Sequence, residues 1–183
     1  MGNDNIVRMF WYGKTLSAYE LLSITSFLKQ GHQVEVFSYG ELSLPSGAVL
    51  VDAAEVLPES EVFTYQNGAG KGSVSAFSNL FRYKLLYERG GIWADSDVMC
   101  LRPMDSLPPV CAGRQDDTTV AVGIMRFPPG HPLAGELYEQ AARLGQNIQW
   151  GQAGPRLMTR LLPNYPDVEI LPVTAFYPLH WNA

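Results

Sequence analysis

The chain is poor in cysteine, has no surplus of positive charge and contains no long apolar run. Its 183 residues include only two cysteines, Cys100 and Cys111, which excludes a disulfide framework and leads us to expect a reducing, cytoplasmic location. Acidic residues outnumber basic ones by 18 to 13. The chain therefore lacks the basic field that non-specific nucleic-acid binding needs, and no nucleic-acid partner is expected. We expect neither a membrane-spanning segment nor a signal peptide, while peripheral contact with a membrane stays open.

The composition is that of one globular domain. Hydrophobic residues make up 46% of the chain and charged residues 17%, which is enough for one core, and no linker stands out. We therefore expect a single domain over residues 1–183. With a net charge of −5, the chain needs a local cation if it is to bind a phosphorylated ligand, which is a first indication of a metal.

The order of predicted elements indicates an α/β fold. A short apolar run, a helical pattern that stops at Gly31 and a second strand follow one another near the N-terminus, and this order favours a parallel sheet. Strands are predicted at 6–12, 34–39, 48–51, 92–94, 118–127 and 168–171, with extended chain at 98–101, and helices at 16–30, 74–89, 131–144 and 154–162.

Two carboxylates, Asp95 and Asp97, stand one residue apart at the end of a predicted buried strand that contains Trp93. If the turn bends them together, both reach a hard divalent cation such as Mg²⁺ or Mn²⁺. Such a cation can bridge a diphosphate and neutralise the charge that develops on a leaving nucleoside diphosphate. An Asp-x-Asp pair is also common in solvated turns, and that interpretation stays open for these residues alone.

The helix before this strand carries polar residues within one turn. Ser78, Asn79, Arg82 and Tyr83 are predicted to face away from its apolar stripe. An arginine there can fork onto a phosphate or a sugar hydroxyl. The alternative is a surface arginine that pairs with Glu88 or another carboxylate.

Three further residues are predicted near the carboxyl edge of the sheet, where α/β folds bind ligands. Trp11 and Tyr12 end the first strand and can stack on a nucleobase, or can belong to the core. Asp52 ends the third strand and can reach a ribose or base, or can serve only as a helix N-cap. Close to the C-terminus, His180 offers a metal ligand beside Trp181, although a lone histidine is more often structural.

The glycine-rich segment 64–73 is not a phosphate-binding P-loop. Gly72 follows Lys71 where a serine or threonine is required, and the first glycine of that pattern is missing. We predict a mobile loop near the site instead.

The segment 77–98, FSNLFRYKLLYERGGIWADSDV, resembles the glycosyltransferases that have a DXD-containing sugar-binding region. That group includes bacterial capsule and lipopolysaccharide sugar transferases, yeast Golgi mannosyltransferases and α-1,4-galactosyltransferase-like enzymes, and more distantly the large clostridial glucosylating toxins. The resemblance extends to 10–13, to 154–155 and to 176–181, and so covers nearly the whole chain.

The resemblance implies a GT-A fold, which is an α/β fold with a Rossmann-like, mixed and mainly parallel sheet flanked by helices. It also implies a UDP- or GDP-sugar donor, assistance by Mn²⁺ or Mg²⁺, retention at the anomeric carbon, and transfer of a hexose to a hydroxyl of a glycan or glycolipid, as in polysaccharide biosynthesis. In this pattern Asn79 stands where an aspartate is common. The resemblance implies that Asp95 and Asp97 bind the metal and diphosphate, that Ser78 and Arg82 hold the donor sugar, that Trp11 lies beside the base and that His180 lies on the metal side. Together with the residue patterns above, this predicts catalysis by Asp95, Asp97 and Arg82 and metal binding by Asp95, Asp97 and His180. The predicted donor-binding residues are Trp11, Tyr12, Asp52, Ser78, Asn79, Arg82, Tyr83 and Ser96.

Two other functions are compatible with parts of the sequence. A haloacid-dehalogenase-like phosphatase also uses Asp-x-Asp, and Asp116-Asp117 mimics its later acidic motif, but Met99 stands where that motif has threonine or valine. A non-catalytic nucleotide-sugar-binding module of the same fold is the second alternative. Because family members usually continue further, we also expect either a minimal member or a missing C-terminal extension.

Overall fold

The computed structural model describes residues 5–145 and 148–178, and within these ranges the chain forms a seven-stranded sheet with helices packed against it. The strands are β1 (Val7–Phe10), β2 (Val34–Ser38), β3 (Ala48–Asp52), β4 (Gly91–Ala94), β5 (Cys111–Arg114), β6 (Val120–Phe127) and β7 (Glu169–Leu171). The helices are α1 (Ala18–Lys29), α2 (Ser75–Arg89), α3 (Pro132–Leu144), α4 (Pro155–Leu161) and α5 (Val173–Phe176), with 3-10 turns at Ala53–Glu55, Glu59–Glu61 and Leu162–Asn164.

The sheet is mixed and mainly parallel, as the sequence predicts. Its strand order is β3-β2-β1-β4-β6-β5-β7. β1 pairs in parallel with β2 and with β4, β2 with β3, and β5 with β7, whereas β6 runs antiparallel to β4 and β5. The chain leaves β1 toward β2 on one side and later returns beside β1 as β4, so the strand order reverses at β1. A crevice at the carboxyl ends of β1 and β4 follows from this reversal.

A capping box formed by Ser17 and Glu20 sets the start of helix α1. The Ser17 hydroxyl accepts a hydrogen bond from the Tyr19 N–H at 3.2 Å, and the Glu20 carboxylate accepts one from the Ser17 N–H at 2.6 Å. This capping box satisfies N–H groups that the first turn of a helix leaves without partners. Gly31 follows the helix with a φ of +87°, a conformation that glycine adopts without strain.

More side chains of helix α2 are buried than the apolar stripe in the sequence predicts. Phe77 and Phe81 are fully buried, as the periodicity predicts. Asn79, Arg82 and Tyr83 were expected to face away from the core, but they are 7%, 4% and 0% exposed. That prediction was wrong because α2 is in contact with helix α3 as well as with strands β4 and β6. A helix covered on two sides buries polar side chains only where they have partners.

The extended chain predicted at 98–101 forms no strand within the described residues. Its backbone groups bond instead to hydroxyls of α1. The Ser23 hydroxyl donates to the Val98 carbonyl at 2.5 Å, and the Ser26 hydroxyl accepts from the Cys100 N–H at 2.8 Å. Helix α1 therefore holds the segment after the aspartate pair, and no ladder with a neighbouring strand is needed.

Both cysteines of the chain lie in its interior. Cys100 and Cys111 are both buried and free, and burial raises the pKa of Cys111 to about 11. Among residues 5–145 and 148–178, no helix has the length and apolar character that crossing a bilayer requires.

Candidate active site

Asp95 is held in place at the carboxyl end of β4. Its N–H donates to the Gly123 carbonyl at 2.8 Å, which continues the pairing with β6. The Trp93 indole N–H donates to Asp95 Oδ1 at 2.9 Å, and Arg82 Nη2 lies 3.0 Å from the same oxygen. The Asp95 side chain keeps 34% of its surface exposed. One side of the carboxylate is therefore fixed by donors, and the other remains accessible to a ligand.

The surroundings of Asp95 act on its pKa in opposite directions. Burial raises the pKa of Asp95, whereas the Arg82 guanidinium and the Trp93 N–H lower it. The Asp97 carboxylate raises it further, since two negative charges repel each other. A divalent cation at this position relieves that repulsion, so the electrostatics of the pair suit metal binding.

Arg82 lies beneath Asp95 with its donors engaged. Its Nε donates to the Ser78 carbonyl at 3.2 Å, Nη2 to the Ser78 hydroxyl at 3.2 Å, and Nη1 to the Val122 carbonyl at 2.7 Å. Nη1 also donates to Asp95 Oδ2 at 3.4 Å, and the guanidinium carbon lies 4.8 Å from the centre of the Trp93 ring. Such a fork fixes the orientation of the carboxylate as well as its charge.

The alternative interpretation of Arg82 as a surface arginine is wrong, and its carboxylate partner is Asp95 rather than Glu88. Arg82 is 4% exposed, and Glu88 contacts Lys84 instead, at 3.7 Å one turn earlier on the same helix. Ser78 contacts Arg82 directly, because the hydroxyl and the carbonyl of Ser78 both accept hydrogen bonds from the guanidinium.

Asp97 projects from the turn that follows β4 and is exposed, while Ser96 in the same turn is half-buried. Asp97 forms no ion pair with any residue of the described ranges, so its oxygens are available. Within those ranges no third histidine, cysteine or acid joins the pair in a group that can hold a metal, and His180 lies outside the described residues. Two carboxylates fit Mg²⁺ or Mn²⁺ that keeps waters and takes its remaining oxygens from substrate phosphates.

A cavity of about 530 Å³ lies beyond the carboxyl ends of β1 and β2. Tyr12, Ser38 and Tyr39 are among the residues that line it, and the rings of Tyr12 and Tyr39 meet edge to face at 6.1 Å. The Tyr39 hydroxyl donates to the Leu57 carbonyl at 2.8 Å, and this hydrogen bond fixes the position of the Tyr39 ring. Tyr12 is 42% exposed and offers a free aromatic face.

Trp11 lies in the same loop as Tyr12 but is not among the residues that line the cavity. Its indole N–H donates to the Thr15 carbonyl at 3.1 Å, and its ring packs partly against the core cluster on the α1 side of the sheet. Gly13 lies close to this ring, since a Cβ there would be 3.0 Å from the Trp11 indole nitrogen and the ring would have to shift by a few tenths of an ångström. Of the two aromatic residues predicted next to a base, Tyr12 is the one that faces the cavity.

Asp52 and Tyr83 occupy local structural roles. The Asp52 carboxylate accepts from the Ala54 N–H at 2.9 Å, so the N-cap alternative is confirmed for Asp52, although it stands opposite Ser38 next to the cavity. The Tyr83 hydroxyl donates to the Ala153 carbonyl at 2.8 Å from a fully buried position. The Tyr83 side chain is therefore enclosed in the core, and its role in donor binding stays a prediction.

Asn79 lies one turn before Arg82 on α2 and packs against the chain that leads into α4. A Cβ placed on Gly154 would be 3.4 Å from the Asn79 amide nitrogen. This distance is that of an ordinary van der Waals contact, so the backbone at Gly154 and the Asn79 amide lie close together. The role of Asn79 toward a donor sugar stays a prediction.

Three residues of the site were not predicted from the sequence as site residues. Trp93 donates to Asp95, and Tyr177 accepts from the Ile124 N–H at 3.1 Å. A Cβ on Gly123 would lie 3.0 Å from the Tyr177 hydroxyl and 3.1 Å from Asp95 Oδ2, so glycine leaves room for both groups. These contacts join strands that are distant in sequence. Only the position of Trp93, two residues before Asp95 and on the same face of the strand, offered a signal.

The fold and the site together define a GT-A-type α/β domain with an Asp-x-Asp pair at the carboxyl edge of its sheet. The chain belongs to the family described as "Glycosyltransferase sugar-binding region containing DXD motif", whose sequence model matches residues 19–111.

Two known proteins are similar to this chain. Human alpha-1,4-N-acetylglucosaminyltransferase is 29% identical over 116 residues, which cover 61% of this chain and 34% of that protein. The chain thus spans about a third of the length of this curated relative. The solved structure of the PaToxG glycosyltransferase superposes with a TM-score of 0.65 at 15% identity, covering 89% of this chain and 69% of that one. That structural likeness supports the fold.

Proposed function

We propose that the chain is a metal-dependent, retaining glycosyltransferase that moves a hexose from a UDP- or GDP-sugar to a hydroxyl group of a glycan or glycolipid. The observation that carries this proposal is the pairing of the fixed carboxylate of Asp95 with the free carboxylate of Asp97, directly above the buried Arg82. The family to which the chain belongs supports transfer of a sugar as the reaction class.

The donor has room to lie across the carboxyl ends of β1, β2 and β4. The cavity at Tyr12 and Tyr39, about 530 Å³ in volume, suits a nucleobase because an exposed aromatic face stacks on any base. From there the diphosphate extends toward Asp95 and Asp97, since β1 and β4 are adjacent strands.

Asp97 and the accessible side of Asp95 are the residues that would hold Mn²⁺ or Mg²⁺. When bound, such an ion stabilises the negative charge on the departing nucleoside diphosphate. Arg82 holds Asp95 in the orientation that this requires, and its charge is added to the positive field at the leaving group. Trp93 fixes the same carboxylate from the strand side.

Retention at the anomeric carbon is part of the proposal. Both carboxylates of the pair, Asp95 and Asp97, are assigned to the diphosphate end of the donor, so neither is assigned as a nucleophile that attacks the anomeric carbon. An attack by the acceptor hydroxyl on the same face, with the leaving phosphate taking the proton, needs no enzyme nucleophile. Pre-orientation of the donor then supplies much of the catalysis.

The phosphatase alternative has little support in the geometry. Asp116 lies between β5 and β6, where its carboxylate accepts from the N–H groups of Thr118 and Thr119 at 2.9 and 2.8 Å. These bonds lower the pKa of Asp116 and use its oxygens within its own turn. The Asp-x-Asp pair also follows the fourth strand rather than the first.

A thermal-shift screen of UDP- and GDP-sugars, each with and without Mn²⁺, tests the proposed function. A donor present at 100 times its dissociation constant stabilises the native state by about 2.7 kcal/mol, so the correct donor raises the melting temperature only when the metal is present. Absence of a shift with every donor contradicts the proposal. A shift without slow hydrolysis of the donor supports the non-catalytic binding module instead.

A further inference from the structure

A second cavity lies between the glycine-rich loop and the chain that precedes α4. Its volume is about 450 Å³, and its lining includes Gln66, Asn67, Gln149, Trp150 and Arg156. None of these residues belongs to the donor site described above. Amide side chains with one aromatic and one guanidinium form the combination that recognises a ligand rich in hydroxyl groups, because each amide both donates and accepts.

Trp150 is held so that part of its ring stays open. Half of its surface is exposed, while Tyr65 packs on it with ring centres 5.3 Å apart. Gly70 adopts a φ of +83°, and a Cβ at that position would lie 2.1 Å from the Trp150 ring. The glycine-rich loop is thus shaped to receive this indole, and Gly72 N–H donates to the Tyr65 carbonyl at 2.9 Å to close the loop. A fixed, half-exposed indole offers the flat apolar face that packs against the C–H face of a pyranose ring.

The cavity continues into a basic groove. Arg156 also lines a neighbouring cavity of about 550 Å³, together with Arg143 and Arg160. The Arg143 guanidinium lies 3.4 Å from the Glu139 carboxylate, whereas Arg160 donates to the neutral Gln140 amide oxygen at 2.6 Å and forms no ion pair with the residues that the structure describes. In a chain with a net charge of −5, three arginines around one groove form a local positive field that attracts anions.

The groove is connected to the donor site through α2. The Tyr83 hydroxyl bonds to the Ala153 carbonyl, and Gly154 packs against Asn79, one turn from Arg82. The chain that follows Trp150 therefore contacts α2 at Tyr83 and Asn79.

We propose that Trp150 and the arginines Arg143, Arg156 and Arg160 form the acceptor subsite, and that the acceptor is an acidic oligosaccharide. One sugar ring packs on Trp150, its hydroxyls bond to Gln66, Asn67 and Gln149, and a sulfate or carboxylate group on a neighbouring sugar meets the arginines. This inference rests on the proposed function, since it names the acceptor of the same reaction.

The test uses the full chain on an array of paired oligosaccharides that differ only by one sulfate or carboxylate group. The wild-type chain is expected to bind the acidic member at least roughly tenfold more tightly than its neutral partner, a difference of about 1.4 kcal/mol. Trp150→Leu, which keeps apolar bulk and removes the flat ring, weakens binding of both members at least roughly tenfold. Arg156→Gln removes most of the difference between the two members.

Two matched variants serve as controls. Tyr19→Leu removes an exposed aromatic residue on α1, and Arg102→Gln removes an exposed arginine, both away from the groove. Both are expected to bind the array as the wild type does. A melting temperature for each variant shows that it is folded.

Three results would overturn the subsite. These are a wild-type chain that shifts with a donor but binds no member of the array, equal binding of acidic and neutral partners, and unchanged binding by Trp150→Leu. A wild-type chain that shifts with no donor refutes the proposed function instead, so the two failures are distinguishable.

Discussion

Replacement of Arg82 by lysine tests the idea that Arg82 positions Asp95. The guanidinium makes four hydrogen bonds, two of them to Ser78, one to Val122 and one to Asp95, and a further contact of 3.0 Å to the other Asp95 oxygen. Lysine keeps the positive charge but carries its three donors on one nitrogen. A single nitrogen cannot reach both Ser78 and the Val122 carbonyl, so lysine loses the hydrogen bonds to one of these two residues.

The magnitude follows from these contacts. Loss of roughly two hydrogen bonds, at about 0.5–1.5 kcal/mol each, lowers the free energy of unfolding by about 1–3 kcal/mol. Asp95 also loses its bidentate support, and a displacement of about 1 Å in a positioned group costs roughly 100-fold in turnover. Arg82→Lys should therefore fold, but hydrolyse the donor roughly 100-fold more slowly than the wild type.

Urea unfolding measures the first effect, and hydrolysis of the donor sugar in the presence of Mn²⁺ measures the second. Arg102→Lys changes an exposed arginine in the same way and should leave both quantities unchanged. If Arg82→Lys kept the stability and the turnover of the wild type, Arg82 would not position Asp95 and the reasoning would be refuted.

Three further predictions concern other parts of the molecule. Gly123→Ala places a methyl group 3.1 Å from Asp95 Oδ2 and 3.0 Å from the Tyr177 hydroxyl, so donor hydrolysis should fall by roughly tenfold or more; an unchanged rate would show that the site has room. Tyr12→Ala removes one base–aromatic stack and should weaken donor binding by roughly tenfold in calorimetry; equal affinity would place the base elsewhere. Burial lowers the pKa of His32 from its ordinary value of 6.5, and its Nε2 accepts from the Met104 N–H at 3.1 Å. Because the unfolded chain then takes up a proton that the folded chain refuses, the free energy of unfolding should fall as the pH drops below 6.5. His32→Gln should flatten that dependence in urea titrations, and a profile as steep as the wild type's would count against the assignment.

Sequence periodicity predicted α1, α2 and the strand before the aspartate pair because their signals are local. A capping box, a glycine stop and an apolar stripe each lie within a few residues of the element that they define. The mixed sheet was implied by the family resemblance rather than by periodicity, since strand pairing joins segments far apart in the chain.

The burial of Arg82 was not predictable from α2 alone. Its partners Val122 and Asp95 lie 40 and 13 residues away along the chain. The helical periodicity of α2 therefore predicted an exposed side chain at Arg82, whereas these distant partners bury it. The same reason applies to Tyr83, whose partner Ala153 is 70 residues away. The strand β5 was missed because it is only four residues long and contains Gly113.

The measurement that tests the central claim most directly is the rate of donor hydrolysis by Asp97→Ala at saturating Mn²⁺. Asp97 is exposed and forms no ion pair within the described ranges, so its replacement should leave the melting temperature without donor unchanged. We predict that the variant loses both donor turnover and the metal-dependent thermal shift. Turnover at the wild-type rate would contradict the assignment of Asp95 and Asp97 as the site that holds the donor diphosphate.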